Sequence, residues 1–257
     1  MAKRIPVYIL LALIIAGGVL GFSYYSSSPS EPSASQKRQT WQEFVGSPEM
    51  SKVDPNKPLR EQTRIFELAG RRFEIPIMYI DGRPKPGEYQ ESMLLEVIWP
   101  EVRSIWELKD RTEYNLIRKK EHRFGWILLH PASTRPPIET QIANLKRNIR
   151  KIDFVQSRDG LEEYLWYRGT PESPEPWYEM YFEKDTRGNI ISYIDCSPKE
   201  RGLYPRCSDK FIEGGLIYQI SYNKAAFFSE WRQQRQRAID FMNSFEIHSQ
   251  KASTKEE

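Results

Sequence analysis

The stretch 216-LIYQISYN-223 places Leu216, Tyr218, Ile220 and Tyr222 on one side and Ile217, Gln219 and Ser221 on the other. That is the period of a strand with a buried face. It runs straight into a helix. Asn223 is a good N-cap residue, and Phe227, Trp231, Ala238, Met242 and Phe245 then fall on one helical face, with Arg235 at its edge and Arg232 and Arg237 pointing elsewhere. Working back, NIISYIDC and PWYEMYFEKD read as a hairpin around Thr186–Asn189, and EYLWY as a further strand. Ile138, Ile142, Leu145, Ile149 and Ile152 are spaced four, three, four and three, which predicts one helix with an apolar stripe. Pro136 and Pro137 suit its first turn, and Arg147, Arg150 and Lys151 suit its end, where cations meet the helix dipole. The run Trp126–His130, WILLH, predicts a central strand covered on both faces, and MLLEVIW a strand stopped by Pro100. RIFEL and RRFEIPIMYI predict a hairpin around Ala69 and Gly70, with Pro76 confining the second arm to an edge. Strands, helix, strands, helix: this order predicts an α+β fold, an antiparallel sheet with helices packed on one side.

The domain so read spans 63–247, and a polar tail occupies 248–257. Ahead of it, residues 26–62 form a linker opening SSSPSEPSAS, which as a flexible coil reaches about 35 Å. Residues 1–25 hold a cytoplasmic stub and the uncharged run Ile5–Tyr25, IPVYILLALIIAGGVLGFSYY. At about 1.5 Å per residue this run spans about 30 Å, the thickness of a bilayer's hydrocarbon core. Lys3 and Arg4 before it put the N-terminus in the cytoplasm and the domain outside. The expected location is a single-pass signal anchor in a bacterial inner membrane, held through residues 5–25, with the domain in the periplasm. A cleaved signal peptide is the alternative, with Gly21-Phe22-Ser23 as a small-x-small site, although a typical h-region is shorter, about 7–15 residues.

The 257 residues carry 38 basic and 35 acidic side chains, a net charge of +3, which does not suggest nucleic acid as a partner. Cys196 and Cys207 are separated by ten residues. An even count in an oxidising compartment predicts one disulfide, and two cysteines without a nearby histidine supply only half of a zinc site. The motifs G-x-S-x-G, H-E-x-x-H, G-x-x-x-x-G-K-[ST] and G-x-G-x-x-G are absent. Of the three histidines, His248 lies in the tail, His122 in a charged run and His130 at a strand end. Glu162, Glu163, Glu179 and Glu183 show no spacing that implies a catalytic pair. No catalytic residue, cofactor or metal is assigned from the sequence.

Two segments suit recognition. Gly169–Tyr178 is an acidic, proline-stiffened stretch in which Glu172 and Glu175 precede Trp177 and Tyr178. Stiff segments lose little entropy on binding, and aromatic residues dominate interface hot spots. The loop between the cysteines offers Arg201 and Tyr204. The segments 68-LAGRRFEIPIMYI-80, 94-LLEVIWPE-101 and the helix EWRQQRQRAIDFMNSF resemble envelope proteins of proteobacteria. Some of these are immunity proteins of type VI secretion with an N-terminal anchor and a periplasmic domain. The resemblance implies a tethered protein-binding domain that occludes a secreted toxin and works without turnover. The alternatives are a structural component of an envelope machine and an envelope hydrolase. An alkaline phosphatase fused to the C-terminus is expected to be active in cells, whereas activity of a cytoplasmic reporter fused there would invert the topology.

Overall fold

The computed structural model describes residues 56–80, 92–170, 172–198 and 205–247. The apolar run 5–25, the linker's first thirty residues, the loop 81–87, Arg201, Tyr204 and the tail lie outside them. Among the described residues no helix is long and apolar enough to cross a membrane.

Among the described residues ten strands form two sheets. A small hairpin pairs β1 (Thr63–Leu68) with β2 (Arg71–Pro76). The others are β3 (Met93–Ile98), β4 (Phe124–Pro131), β5 (Lys151–Arg158), β6 (Leu161–Gly169), β7 (Pro174–Lys184), β8 (Ile190–Cys196), β9 (Arg206–Glu213) and β10 (Leu216–Asn223). They make one eight-stranded antiparallel sheet in the order β3-β4-β10-β9-β8-β7-β6-β5. The helices are α1 (Arg111–Asn115), α2 (Ile138–Lys146), α3 (Lys224–Phe227) and α4 (Trp231–Asn243). Asn223 caps α3 as expected, its Oδ1 accepting from the Ala226 N–H at 3.0 Å.

Strand alternation sorts the core into two faces. On one, Tyr181, Ile194, Cys196, Phe211, Tyr218, Ile220 and Tyr222 meet Trp231, Ala238 and Met242 of α4 and Phe66, Leu68, Phe73 and Ile75 of the hairpin. On the other, Trp166, Met180, Phe182 and Tyr193 meet Ile138 and Ile142 of α2. Helices therefore cover both faces, and the expectation of helices on one side is corrected. The reason lies in β7 and β8, where residues on both sides of the pleat are large and apolar. The chain end ties the hairpin to α4: the Glu74 N–H donates to Phe245 O at 2.8 Å, and Arg71 pairs with Glu246 at 2.6 Å.

Three further expectations are corrected. The helical stripe ends at Lys146, because Ile149 sits in a turn and Ile152 belongs to strand β5. The second hairpin arm stops at Pro76, and Ile77–Tyr79 form a 3-10 turn. WILLH is flanked by β3 and β10, yet only one of its faces is fully buried, with Trp126 and Leu128 half-buried. Gly125 at its start has no substitute: a Cβ there would collide with Ser221 O and the Trp99 ring, whose Nε1 donates to that same carbonyl at 2.8 Å. Cys196 and Cys207 lie directly opposite on β8 and β9 and are joined by a disulfide, with Cα atoms 4.0 Å apart.

Charge lies inside the main core. Arg235 of α4, 11% exposed, forks onto Asp209 of β9, 0% exposed, through Nε to Oδ2 at 2.8 Å and Nη2 to Oδ1 at 2.7 Å. Its Nη1 reaches Glu183 of β7 at 2.7 Å and its Nη2 the Ser192 hydroxyl of β8 at 2.9 Å. The guanidinium also lies over the rings of Trp231 and Phe211, 4.4 and 4.9 Å from their centroids. Breaking a buried pair from one side leaves an uncompensated charge, which costs about 3–5 kcal/mol. Arg235→Met is expected to lose that much unfolding free energy in urea titration, and Arg235→Met with Asp209→Leu to lose less than the single change.

Candidate functional site

The recognition segment is more regular than its composition suggests. β6 runs to Gly169 and β7 begins at Pro174, so the turn between them is short. Glu172 and Glu175 are exposed at this turn and strand start. Trp177 and Tyr178 are half-buried within β7, at a bulge where Trp166 pairs with Tyr178 and Tyr167 with Pro176. The Arg168 guanidinium covers the Trp177 ring at 3.9 Å, and Tyr178 packs against the α2 core. His130 is buried, its Nδ1 3.2 Å from Nη2 of Arg135.

A different place in the fold collects chemistry. A cleft of about 540 Å³ opens on the α4 face of the sheet, between the β5–β6 turn, β7 and the start of the C-terminal helices. Its apolar wall comes from Leu161, Phe228 and Trp231, and its polar groups are Arg158, Glu179, Tyr181 and Lys224. The Tyr181 hydroxyl lies 2.7 Å from Glu179 Oε2 and 3.2 Å from Glu163 Oε1. One phenol thus serves two carboxylates and donates to one at a time. Lys224 closes the chain with an ion pair to Glu179, and its ammonium lies over the Tyr181 and Phe228 rings. At the other end Gln156 Nε2 donates to Glu163 Oε2 at 2.6 Å, and Arg158 Nε stands 3.9 Å from the same oxygen.

Partial burial shapes these groups. Desolvation, reinforced by the Glu163 carboxylate, raises the Tyr181 hydroxyl well above the usual phenol range, so it stays protonated. Desolvation also holds the Lys224 ammonium below the ordinary lysine range. The arrangement is a wall of fixed charges around an aromatic floor, suited to orient a ligand that inserts an apolar group. Among the described residues no group of three or more His, Cys, Asp or Glu side chains is placed to hold a metal ion.

Neither Tyr181 nor Lys224 is prominent in the sequence, because the contributors lie on four separate segments. A signal exists nonetheless. Glu163 stands two residues from both Leu161 and Leu165, and Glu179 two from Tyr181, so both acids share the inward face of their strands.

Neither a family model nor a curated protein matches this sequence. Solved structures do. Smlt3025, an immunity protein of the Stenotrophomonas maltophilia type IV secretion system, aligns at a TM-score of 0.54 and 16% identity, covering 82% of this chain and 100% of that one. The iron-regulated outer membrane lipoprotein FrpD of Neisseria meningitidis aligns at a TM-score of 0.42 and 15% identity, over 72% of this chain and 94% of that one. The first likeness establishes a shared fold with an immunity protein of a secretion system. The system named is type IV, where the sequence resemblance implied type VI.

The phenol shared by two carboxylates gives the cleft a measurable signature. Tyr181→Phe strips a donor from Glu163 and Glu179 together, and a lost partner for half-buried polar groups costs about 1–3 kcal/mol. The urea midpoint is expected to fall accordingly, with less effect from Glu163→Gln, which keeps an acceptor oxygen for the phenol.

Proposed function

We propose that this chain is a membrane-tethered periplasmic domain that binds a protein, and that it serves as an immunity protein occluding a secreted toxin. The observation that carries the reading is the cleft, a concave aromatic-floored site with a charged wall on a fold also found in an immunity protein. Tight protein interfaces bury an apolar anchor within a polar rim. Here the toxin supplies the anchor to Phe228 and Trp231, while Glu179 and Lys224 set its orientation. Glu172 in the β6–β7 turn and Glu175, Trp177 and Tyr178 of β7 form a second patch in this reading. Tethering through residues 5–25 raises the local concentration of the binder at the membrane surface without adding contacts.

The test is co-expression of the full-length chain with each secreted toxin of its own genome, scored for protection and for a purified complex. Ala225 and Ser229 line the cleft with exposed side chains, so Ala225→Arg and Ser229→Arg fill it without removing internal contacts. Each is expected to weaken toxin binding at least about tenfold, or about 1.4 kcal/mol, with an unchanged unfolding midpoint. Full protection by both variants removes the cleft from the reading, and loss confined to Trp177→Ala moves the interface to the second patch. Failure to protect against any toxin rejects immunity itself. Deleting each secretion apparatus in the attacking cell distinguishes type IV from type VI delivery.

A further inference from the structure

The two edges of the large sheet are finished differently. Outside β3, Ile80 bridges to Leu95 and Arg103 to Ile98, whose N–H donates to Arg103 O at 2.8 Å. Outside β5 no strand or bridge follows among the described residues. Edges are normally short, charged or covered. β5 carries charged residues, yet it is eight residues long and uncovered among the described residues, and it exposes Ile152 at 41%, Phe154 at 58% and Val155 at 50%. We propose that β5 is an interface between two copies of this chain, paired edge to edge and antiparallel across a two-fold axis.

The occupant follows from the strand's own pattern. Directly opposite residues in an antiparallel pair share a face of the sheet. The faces of β5 are fixed by β6: Lys151, Asp153, Gln156 and Arg158 pair with Tyr167, Leu165, Glu163 and Leu161, while Ile152, Phe154 and Ser157 pair with Trp166, Tyr164 and Glu162. Contacts agree, since Phe154 and Tyr164 have ring centroids 5.4 Å apart and Gln156 reaches Glu163. Val155 is the extra residue of a bulge, so the odd–even rule inverts there and Asp153 comes to share a face with Arg158.

With that inversion, of the registers in which β5 overlaps its own copy by six residues or more, only two keep the faces matched. In one, Lys151 stands opposite Arg158 twice, which is repulsive. In the other, Asp153 stands opposite Arg158 twice, Phe154 faces Ser157 and Val155 faces Gln156. Charge therefore selects the second register, and a C2 axis makes the interface self-complementary. Both charges reach solvent: the side chain of Arg158 is 52% exposed and stands 3.9 Å from Glu163, and that of Asp153 is 38% exposed and ion-paired with Lys151 at 2.7 Å, an exposed pair that a second copy's Arg158 joins.

The experiment measures the mass of the full-length chain in detergent micelles by sedimentation. The wild-type chain is expected to be a dimer. Asp153→Arg and Arg158→Asp should each weaken dimerisation about tenfold, since each turns two attractive cross-strand pairs repulsive. The double variant, which exchanges the charges, should recover most of the affinity. A monomeric wild-type chain overturns the proposal, and so does a dimer indifferent to both single changes. Each single change also disturbs a contact within the chain, so thermal unfolding is followed in parallel. Weakening that tracks lost stability and is not rescued in the double variant counts against the interface.

Discussion

The fork between Arg235 and Asp209 fixes where the C-terminal helix lies, and most of the architecture depends on that placement. A helix packed by apolar contacts alone can slide along a sheet with little penalty, because hydrophobic attraction has no direction. A guanidinium can satisfy its planar set of donors in few places. Here it is bonded to β7, β8 and β9 at once through Glu183, Ser192 and Asp209. Desolvating these groups opposes folding, and burial pushes the Asp209 carboxyl upward even with Arg235 beside it. The cluster therefore acts as a device for register more than as a source of stability. Any shift of α4 by a turn would strand the buried carboxylate of Asp209 and take a partner from the half-buried Glu183.

The position so fixed has a consequence at the other end of the sheet. With α4 held over β7 to β10, and the hairpin filling the β3 side, little remains to cover β5 and β6 on that face. The cleft lies at this boundary, with Trp231 at the start of α4 on one wall and the β5–β6 turn on the other. Its polar chain from Gln156 to Lys224 continues the logic of the Arg235 cluster. Acids on the inward face of β6 and β7 must find partners, and where the helix no longer reaches, Tyr181 and Lys224 supply them.

Legibility in the sequence followed the strength of local pattern. β10, the cap at Asn223 and the helix face of Trp231, Ala238 and Met242 were readable because period and cap agree. The disulfide was readable from compartment and spacing, and the cross-strand pairing of its cysteines explains why that spacing works. β9 went unread because Ser208, Asp209 and Lys210 interrupt its apolar residues, and its charged positions make sense only beside Arg235, Tyr193 and Gln219. The apparent helical stripe through Ile149 and Ile152 arose by coincidence. A strand residue three positions beyond a turn residue mimics a helical step, and the rest of β5 packs on one side only. Arg235 was legible as a residue at the edge of an apolar face, but the acids that bring it inward come from strands 26 and 52 residues away. The cleft was illegible for the same reason, since its parts meet only after the sheet has formed.

The two faces of the sheet are sealed to different degrees along its length, and this bears on how such a domain can work. At the β3 end both faces and the edge are finished: Ile98, Leu108 and Ile117 form their own small core, and Arg123 ties the segment after Trp99 back to Glu101 and Glu121. At the β5 end α2 stops after nine residues, α4 does not reach, and the edge strand shows its apolar side chains to solvent. Among the described residues the covering elements gather at the β3 end, and few of them reach β5. The rigid end contributes the scaffold. The unfinished end gathers the cleft and the exposed ring of Phe154 within a few strands.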